Sequence, residues 1–566
     1  MTRSLSKAKR RATPKAKHSR HAIDGRAAGD VRVRMYRQGL GDCFLLTFPK
    51  KSGGDFHLLI DCGVILGTPD PKPIMEAVAR DIVETTGGHL DVLVATHEHW
   101  DHVSGFDQAK ELFDGIKVDR VWLAWTEDPK DATANRLRKE RGMRLAALWL
   151  GTQQMRRFGA ADPEAAETVE RVAEVLSFFG IDPDHNQPPA GGFGAFEAAA
   201  NAAGGKTGAA MRWVRDKVSD PEFWKPGDVI DLLAEIGVRV YVLGPPTDRT
   251  LLSKDLPTSS GHETYEMRAA AARAFFSSAF GASDPYGMRQ DFDPSIPFDQ
   301  KYQIPRAAAD QIDFFRDHYL GTSGESPDDW RRIDREWMAG ASEFALQLDS
   351  DTNNTSLALA FEFDDGRVLL FPGDAQVGNW ESWHVDGDHT RVWNVDNGKR
   401  QVTAEQLLNR TVLYKVGHHG SHNATLREKG LEMMTDPDLV AMVPVDVYIA
   451  HMKKRWTRMP FHPLMTRLAD VTQGRVLQAD EEASGLARST TDTLRRFSKR
   501  VKDSGKQITV TGSSGKPVDR PLYVDYLLSA SSDRKQHRGA VRSAKPSTNG
   551  AVRTKTRRRH RPSRTK

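Results

Sequence analysis

Short apolar runs closed by polar or glycine-rich residues recur along the chain. The most informative, Leu90-Asp91-Val92-Leu93-Val94-Ala95, runs directly into Thr96-His97-Glu98-His99-Trp100-Asp101-His102. A short run rich in β-branched residues predicts a buried strand, which leaves the histidines and the aspartate on the loop at its C-terminal end. Upstream, residues 31–36 alternate as a strand, 38–42 turn, 43–48 return, 50–55 turn again and 57–63 form a third strand, together an antiparallel meander. Residues 74–85 are amphipathic and predict the first covering helix. Downstream, 118–125 reads as a strand, 134–180 as helical, and 189–205 as a flexible small-residue segment. Strand patterns return at 238–246, 353–363, 368–374, 411–416, 445–449, 507–511 and 522–528, with Asp365-Gly366 as a hairpin signal. Two stretches interrupt this pattern as mostly helical insertions, about 126–225 and about 248–350, the second with helical stretches at 265–280 and 307–318.

Three imidazoles and a carboxylate within six residues can hold Zn²⁺ or Mn²⁺ without thiolates. With 19 histidines in 566 residues, His-x-His-x-Asp-His arises by composition on the order of once per thousand such chains. The loop is therefore read as a metal site, not as an exposed polar loop that happens to be histidine-rich.

Length points to one large elaborated domain or two. No apolar run is long enough for a membrane span, and the basic N-terminus lacks the apolar core of a secretory signal. Cys43 and Cys62 are the only cysteines. They read as small core residues on neighbouring strands, which fits a reducing cytoplasm and excludes a disulfide framework.

The net charge of +5 hides a segregation. Residues 1–28 hold nine Lys/Arg against Asp24 alone, and residues 534–566 hold thirteen with no acid. Without these ends the body keeps 59 basic and 75 acidic residues, about −16. The expectation is a disordered basic arm (1–28) and tail (531–566) flanking one acidic domain over 29–530. Such arms bind phosphate backbones without sequence preference, or serve only to solubilise.

The motif His97-x-His99-x-Asp101-His102 after a strand resembles the metallo-β-lactamase superfamily. With "GLGDCFLL…LLIDCG", "NNTSLALAF", "LLFPGDAQ" and "LYKVGHHGSH" in this order, the chain looks most like the ComEC-like metallo-hydrolase subgroup. The resemblance covers about 31–125, 225–247 and 352–530. It implies an α/β fold, the αββα four-layer sandwich, carrying one or two Zn²⁺ or Mn²⁺ ions. His97 and His99 would then bind the first metal, Asp101 and His102 the second, and Asp374 would bridge. His418, nearer its strand end, is favoured as the further ligand of the second metal, with His419 as the alternative. Ser421 and His422 are candidates for contacting substrate. His462, before Pro463, is a candidate to face the site or a surface histidine. Asp42 and Asp61 close strands at the metal end, as turn caps or as an outer shell. The superfamily's third histidine for the first metal has no convincing counterpart, His262 being the weak candidate. Trp100 either stacks a base or packs the loop onto the insertion.

A metal with an open coordination position brings the pKa of its bound water near neutrality, giving hydroxide. Asp101, the catalytic candidate, can orient that water or take its proton. No G-x-S-x-G nucleophile motif appears. The sequence thus predicts a metal-dependent hydrolase, a phosphodiesterase or nuclease acting on nucleic acid bound through the basic termini, with the insertions available to a protein partner. The alternatives are a small-molecule ester, lactone or amide hydrolase of the same fold, or a degenerate nucleic-acid-binding scaffold.

Overall fold

The computed structural model describes residues 30–158, 163–182, 205–254, 308, 311–316, 318, 333–387, 389–482, 491–512 and 515–529. The basic ends, residues 189–204, His262 and the predicted helix 265–280 lie outside these residues.

Among the described residues, fifteen strands build the two large sheets. The first takes β1 (Val31–Tyr36), β2 (Cys43–Pro49), β3 (Asp55–Cys62), β4 (His89–Val94), β5 (Lys117–Ala124) and β6 (Glu222–Trp224) from the N-terminal half. It is completed by β14 (Val501–Asp503) and β15 (Tyr523–Leu528), in the order β14-β15-β1-β2-β3-β4-β5-β6. The second holds β7 (Val229–Leu232), β8 (Val238–Gly244), β9 (Ala358–Phe363), β10 (Val368–Phe371), β11 (Thr411–Lys415), β12 (Val440–Val443) and β13 (Val476–Gln478), in the order β13-β12-β11-β10-β9-β8-β7. Each sheet starts as an antiparallel meander and turns parallel. In the first the change falls at β3–β4, and in the second at β10–β11. Parallel strands present their C-terminal ends side by side, and open α/β sheets keep their chemistry there.

Most of these strands are apolar on both faces, which period-2 alternation turns into three cores, one between the sheets and one outside each. Val33, Phe44, Leu46, Leu58, Ile60, Val92 and Val94 of the first sheet share one core with Val240, Val242, Leu359, Phe361, Leu369 and Leu413 of the second. Leu45, Leu59, Leu93 and Val121, on the opposite face of the first sheet, pack against α1 (Pro71–Thr86), α2 (Trp100–Gln108) and a later helix, Gly205–Arg215. Tyr241, Ala360, Leu370 and Tyr414, on the opposite face of the second, pack against α3 (Ala132–Phe158), α4 (Pro163–Phe178), α6 (Ile333–Asn353) and Trp380. The Gly205–Arg215 helix is α5.

Most expected strands are present, and Cys43 sits opposite Cys62 on β2 and β3, both buried and free. Two local expectations change. Residues 445–449 are not a strand: β12 ends at Val443, Pro444 cannot donate the next ladder bond, and the chain coils into a helical turn at Ile449–Lys453. The strand expected from 353 starts later: α6 runs on to Asn353, so β9 begins only at Ala358.

Close backbone packing fixes the metal loop. Asp42 N donates to Asp101 O at 3.0 Å, and Gly63 N donates to Asp42 O at 3.0 Å. A methyl on Gly63 would lie 2.6 Å from both Asp101 O and His102 N, so only glycine fits between β3 and the loop. Gly63→Ala is expected to cost about 1–3 kcal/mol of stability through forced backbone displacement. Denaturant unfolding would measure this, and metal content should fall alongside.

Candidate metal centre

The loop after β4 and the first turn of α2 deliver His97, His99, Asp101 and His102. His99 is the N-cap of α2, so Asp101 lies in its first turn, where the helix dipole favours a carboxylate. From the second sheet come Asp374, just beyond β10, and the Gly417-His418-His419-Gly420 turn beyond β11. His418 (φ 42°) and His419 (φ 53°) are both left-handed, as is Gly420 (φ 79°). Consecutive left-handed residues reverse the chain, which strains two non-glycine positions at a candidate functional site.

The consequence is a four-membered group. One ligand atom from each of Asp101, His102, Asp374 and His419 lies within 4.8 Å of the others, and all four residues are buried. His102 Nε2 is 3.0 Å from Asp374 Oδ2, and His419 Nε2 is 2.7 Å from Asp101 Oδ2. The His97 and His99 rings stand 4.7 Å apart, and His97 is 4.2 Å from the His102 ring. His99 Nε2 is 3.8 Å from Asp349 Oδ1 on α6.

The donor set fits metal ions. His97 Nε2, both ring nitrogens of His99, Asp101 Oδ1, Asp349 Oδ1 and His418 Nε2 are buried and have no hydrogen-bond partner. Buried polar atoms are normally satisfied, so this many orphans around one locus mark a place for cations. Burial lowers His97 well below the usual imidazole range and His99 to about 3, leaving their nitrogens neutral and free to ligate.

Residues 36–137 match the family model of the metallo-beta-lactamase superfamily. No curated protein and no solved structure matches the chain. The superfamily typically binds metal ions and implies a metal-dependent hydrolase. The matched span runs from the end of β1 into α3 and contains the whole His97–His102 loop, whereas Asp349, Asp374, His418 and His419 lie beyond it.

Around the superfamily loop the polar support is extensive. Asp61 (φ 55°) places Oδ2 2.8 Å from His102 Nδ1 and accepts from Thr96 N at 2.8 Å and Thr96 Oγ1 at 2.7 Å. A carboxylate behind a ligating imidazole fixes its tautomer and direction. Lys415, at the end of β11, forms ion pairs with Asp42 and Asp374, at 3.0 Å to the latter, and donates to Gly373 O at 2.8 Å. Burial raises Asp42 to about 6 even though Lys415 opposes the shift. Asp374 stays well below the carboxylate range: burial works against this, but Lys415 and His102 outweigh it. His102 is raised well above its usual value because Asp374, Asp42, Asp101 and Asp61 together overcome burial. That negative field is what a divalent cation seeks.

The structure brings together His97, His99, Asp101, His102 and Asp374. In the four-membered group it places His419, where the sequence favoured His418. His418 instead donates its backbone N to Asp374 Oδ1 at 2.8 Å, with Nδ1 near Ser421 Oγ (3.2 Å) and Gln376 Nε2 (3.3 Å). Ser421 is buried within this set. His422 and His462 are exposed, with His422 against the Phe461 ring. Asp42 and Asp61 both reach the site interior. Trp100 is buried, with Gly180 and Lys206 against its indole, so it packs the loop onto the chain just after α4 and onto α5. The sequence reading passed over Lys415 and Asp349. A lone charge closing an apolar strand signals Lys415, while nothing local marks Asp349.

Asp61→Asn keeps the shape, and asparagine tolerates the left-handed backbone. The substitution removes the charge behind His102 and is expected to lower metal affinity about 10–100-fold. Chelator-competition titration reads this, with circular dichroism unchanged.

Proposed function

We propose that this chain is a phosphodiesterase of the ComEC-like metallo-hydrolase subgroup, built on the αββα four-layer sandwich and acting on nucleic acid. The observation that carries the hydrolase reading is the set of unpartnered, buried nitrogen and carboxylate atoms at the parallel strand ends. The subgroup sequence runs and the two basic ends support the nucleic-acid substrate. The two free cysteines agree with a reducing compartment, the cytoplasm. Among the described residues no helix is long and apolar enough to cross a membrane.

In this reading His97, His99 and Asp349 would hold one ion and Asp101, His102 and His419 a second, with Asp374 available to them as a further carboxylate. Asp349 takes the place that the superfamily's third histidine would fill. Zn²⁺ or Mn²⁺ bound there supplies Lewis acidity and lowers the pKa of its water toward neutrality. Asp101 Oδ1, with no partner of its own, orients the attacking water and receives its proton. His419 Nδ1 lies 2.6 Å from Pro444 O, a contact that fixes the ring so that Nε2 would be offered to the ion. His418, steadied by Ser421 and Gln376, presents Nε2 to the substrate.

The test is cleavage of labelled single- and double-stranded DNA and RNA by protein loaded with Mn²⁺ or Zn²⁺. Wild type should cleave, and Asp101→Ala should lose at least about 100-fold, the scale of a general base. Deleting 1–28 and 534–566 should weaken polymer binding and flatten its salt dependence. Hydrolysis of lactones or acyl esters without nucleic-acid cleavage would establish the small-molecule alternative. Nucleic-acid binding with metal content near zero would establish the scaffold. Separately, Asp349→Ala should reduce bound metal from two ions per chain to one by elemental analysis.

A further inference from the structure

Two elements meet above the histidines. The end of α4 puts Phe178 5.3 Å from the His99 ring and 6.0 Å from the His418 ring, and Phe179 is 4.9 Å from His99. From the other side, the segment after the helical turn Ile449–Lys453 stacks Trp456 on Phe178, 5.1 Å apart and nearly coplanar at 6°. Trp456 Nε1 donates to Glu174 Oε2 at 2.9 Å. Together they roof the metal centre.

Lys454 lies within this roof. It is 8% exposed, and its Nζ donates to Ser177 Oγ at 2.9 Å, one residue before Phe178. Ser177 Oγ donates its own hydrogen to Glu174 O at 2.5 Å, so its lone pair is turned to the ammonium and holds it in place. Gly67 forms the facing wall: a Cβ there would lie 3.7 Å from Nζ. An ammonium carries three donors, and among the described residues no carboxylate forms an ion pair with this one. The charges of Glu174, Asp101 and Asp182 reach it from farther away, and the Glu174 carboxylate is engaged by Trp456.

The contrast with Lys415 is direct. That lysine is also buried and has two carboxylates and a carbonyl around it. A buried cation without a counterion is costly, and burial lowers Lys454 to about 8. Chains keep such a destabilising charge where a ligand brings the missing partner. The ammonium is bonded to the last turn of α4, the turn that sets Phe178 against His99 and His418, and the charge of Asp101 in the centre reaches it.

We infer that Lys454 is a substrate-anchoring residue that binds a non-bridging oxygen of an anionic phosphodiester and so selects it over neutral esters. The inference rests on the phosphodiesterase reading and names the group that sets its substrate class.

The test compares wild type, Lys454→Met and Lys454→Arg as full chains loaded with Mn²⁺. The substrates are bis(4-nitrophenyl) phosphate, an anionic diester, and 4-nitrophenyl acetate, a neutral ester. Loss of one hydrogen bond to a charged group predicts a KM for the diester about 10–100-fold higher in Lys454→Met. Its kcat/KM for the acetate should stay within twofold, and Lys454→Arg should restore most of the diester KM. The melting temperature of Lys454→Met should be equal or higher, since a buried unpaired charge is gone. An unchanged diester KM overturns the inference. So does an equal loss on both substrates with a lower melting temperature, which would make Lys454 a post for Ser177. Inorganic phosphate is the second probe, read as a rise in melting temperature. If wild type cleaves no diester, the phosphodiesterase reading falls. Weaker phosphate stabilisation in Lys454→Met would then still uphold the anchor, and equal stabilisation would reject it.

Discussion

The Lys415 ammonium is the contact on which the centre depends. It closes β11 of the second sheet and pairs with Asp42, from the β1–β2 turn of the first, and with Asp374, beyond β10. One buried cation thus neutralises a carboxylate from each sheet and sets the distance between the two halves of the site. Removing it would strand two buried carboxylates, and breaking such a pair costs about 3–5 kcal/mol. The geometry around it follows. Asp374 is held against His102, Asp61 steadies that ring from behind, and Thr96 O, next to His97, accepts from Leu357 N at 2.9 Å, joining the sheets a second time.

The sequence made much of this legible, because local signals and global structure agree where a strand ends in ligands. The apolar run 90–95 located β4, and the histidines at its end are those gathered in the centre. Asp374 after a strand and a glycine turn was readable for the same reason. The choice between His418 and His419 was not. Extrapolating an extended chain favours the residue nearer the strand, but two left-handed histidines and a left-handed Gly420 fold the second imidazole back toward Asp101. Asp349 was invisible for a different reason: it reaches His99 only because α6 packs there, and no spacing rule links positions 250 residues apart. The strand expected at 445–449 failed through Pro444, whose missing N–H ends the ladder one step after Val443.

The roof shows a division of labour. The sheets supply strand ends that hold the candidate ligands, while the end of α4 and the segment after β12 supply aromatic cover and the cation at Lys454. Phe178 touches both His99 and His418 and stacks on Trp456, so a single side chain ties cover to floor. Stability given up at Lys454 is compatible with a scaffold that buries three extensive apolar cores.

The candidate donors also divide along the chain. His97, His99, Asp101 and His102 belong to one sheet and its helix, and Asp349, Asp374 and His419 to the other. Neither portion alone carries a full set, so ions held between them would act as a thermodynamic clamp across the interface of the two sheets. Their binding energy would add directly to the cohesion of the fold. A chelator would then act on this chain as a mild denaturant, loosening the seam between the sheets as it empties the site.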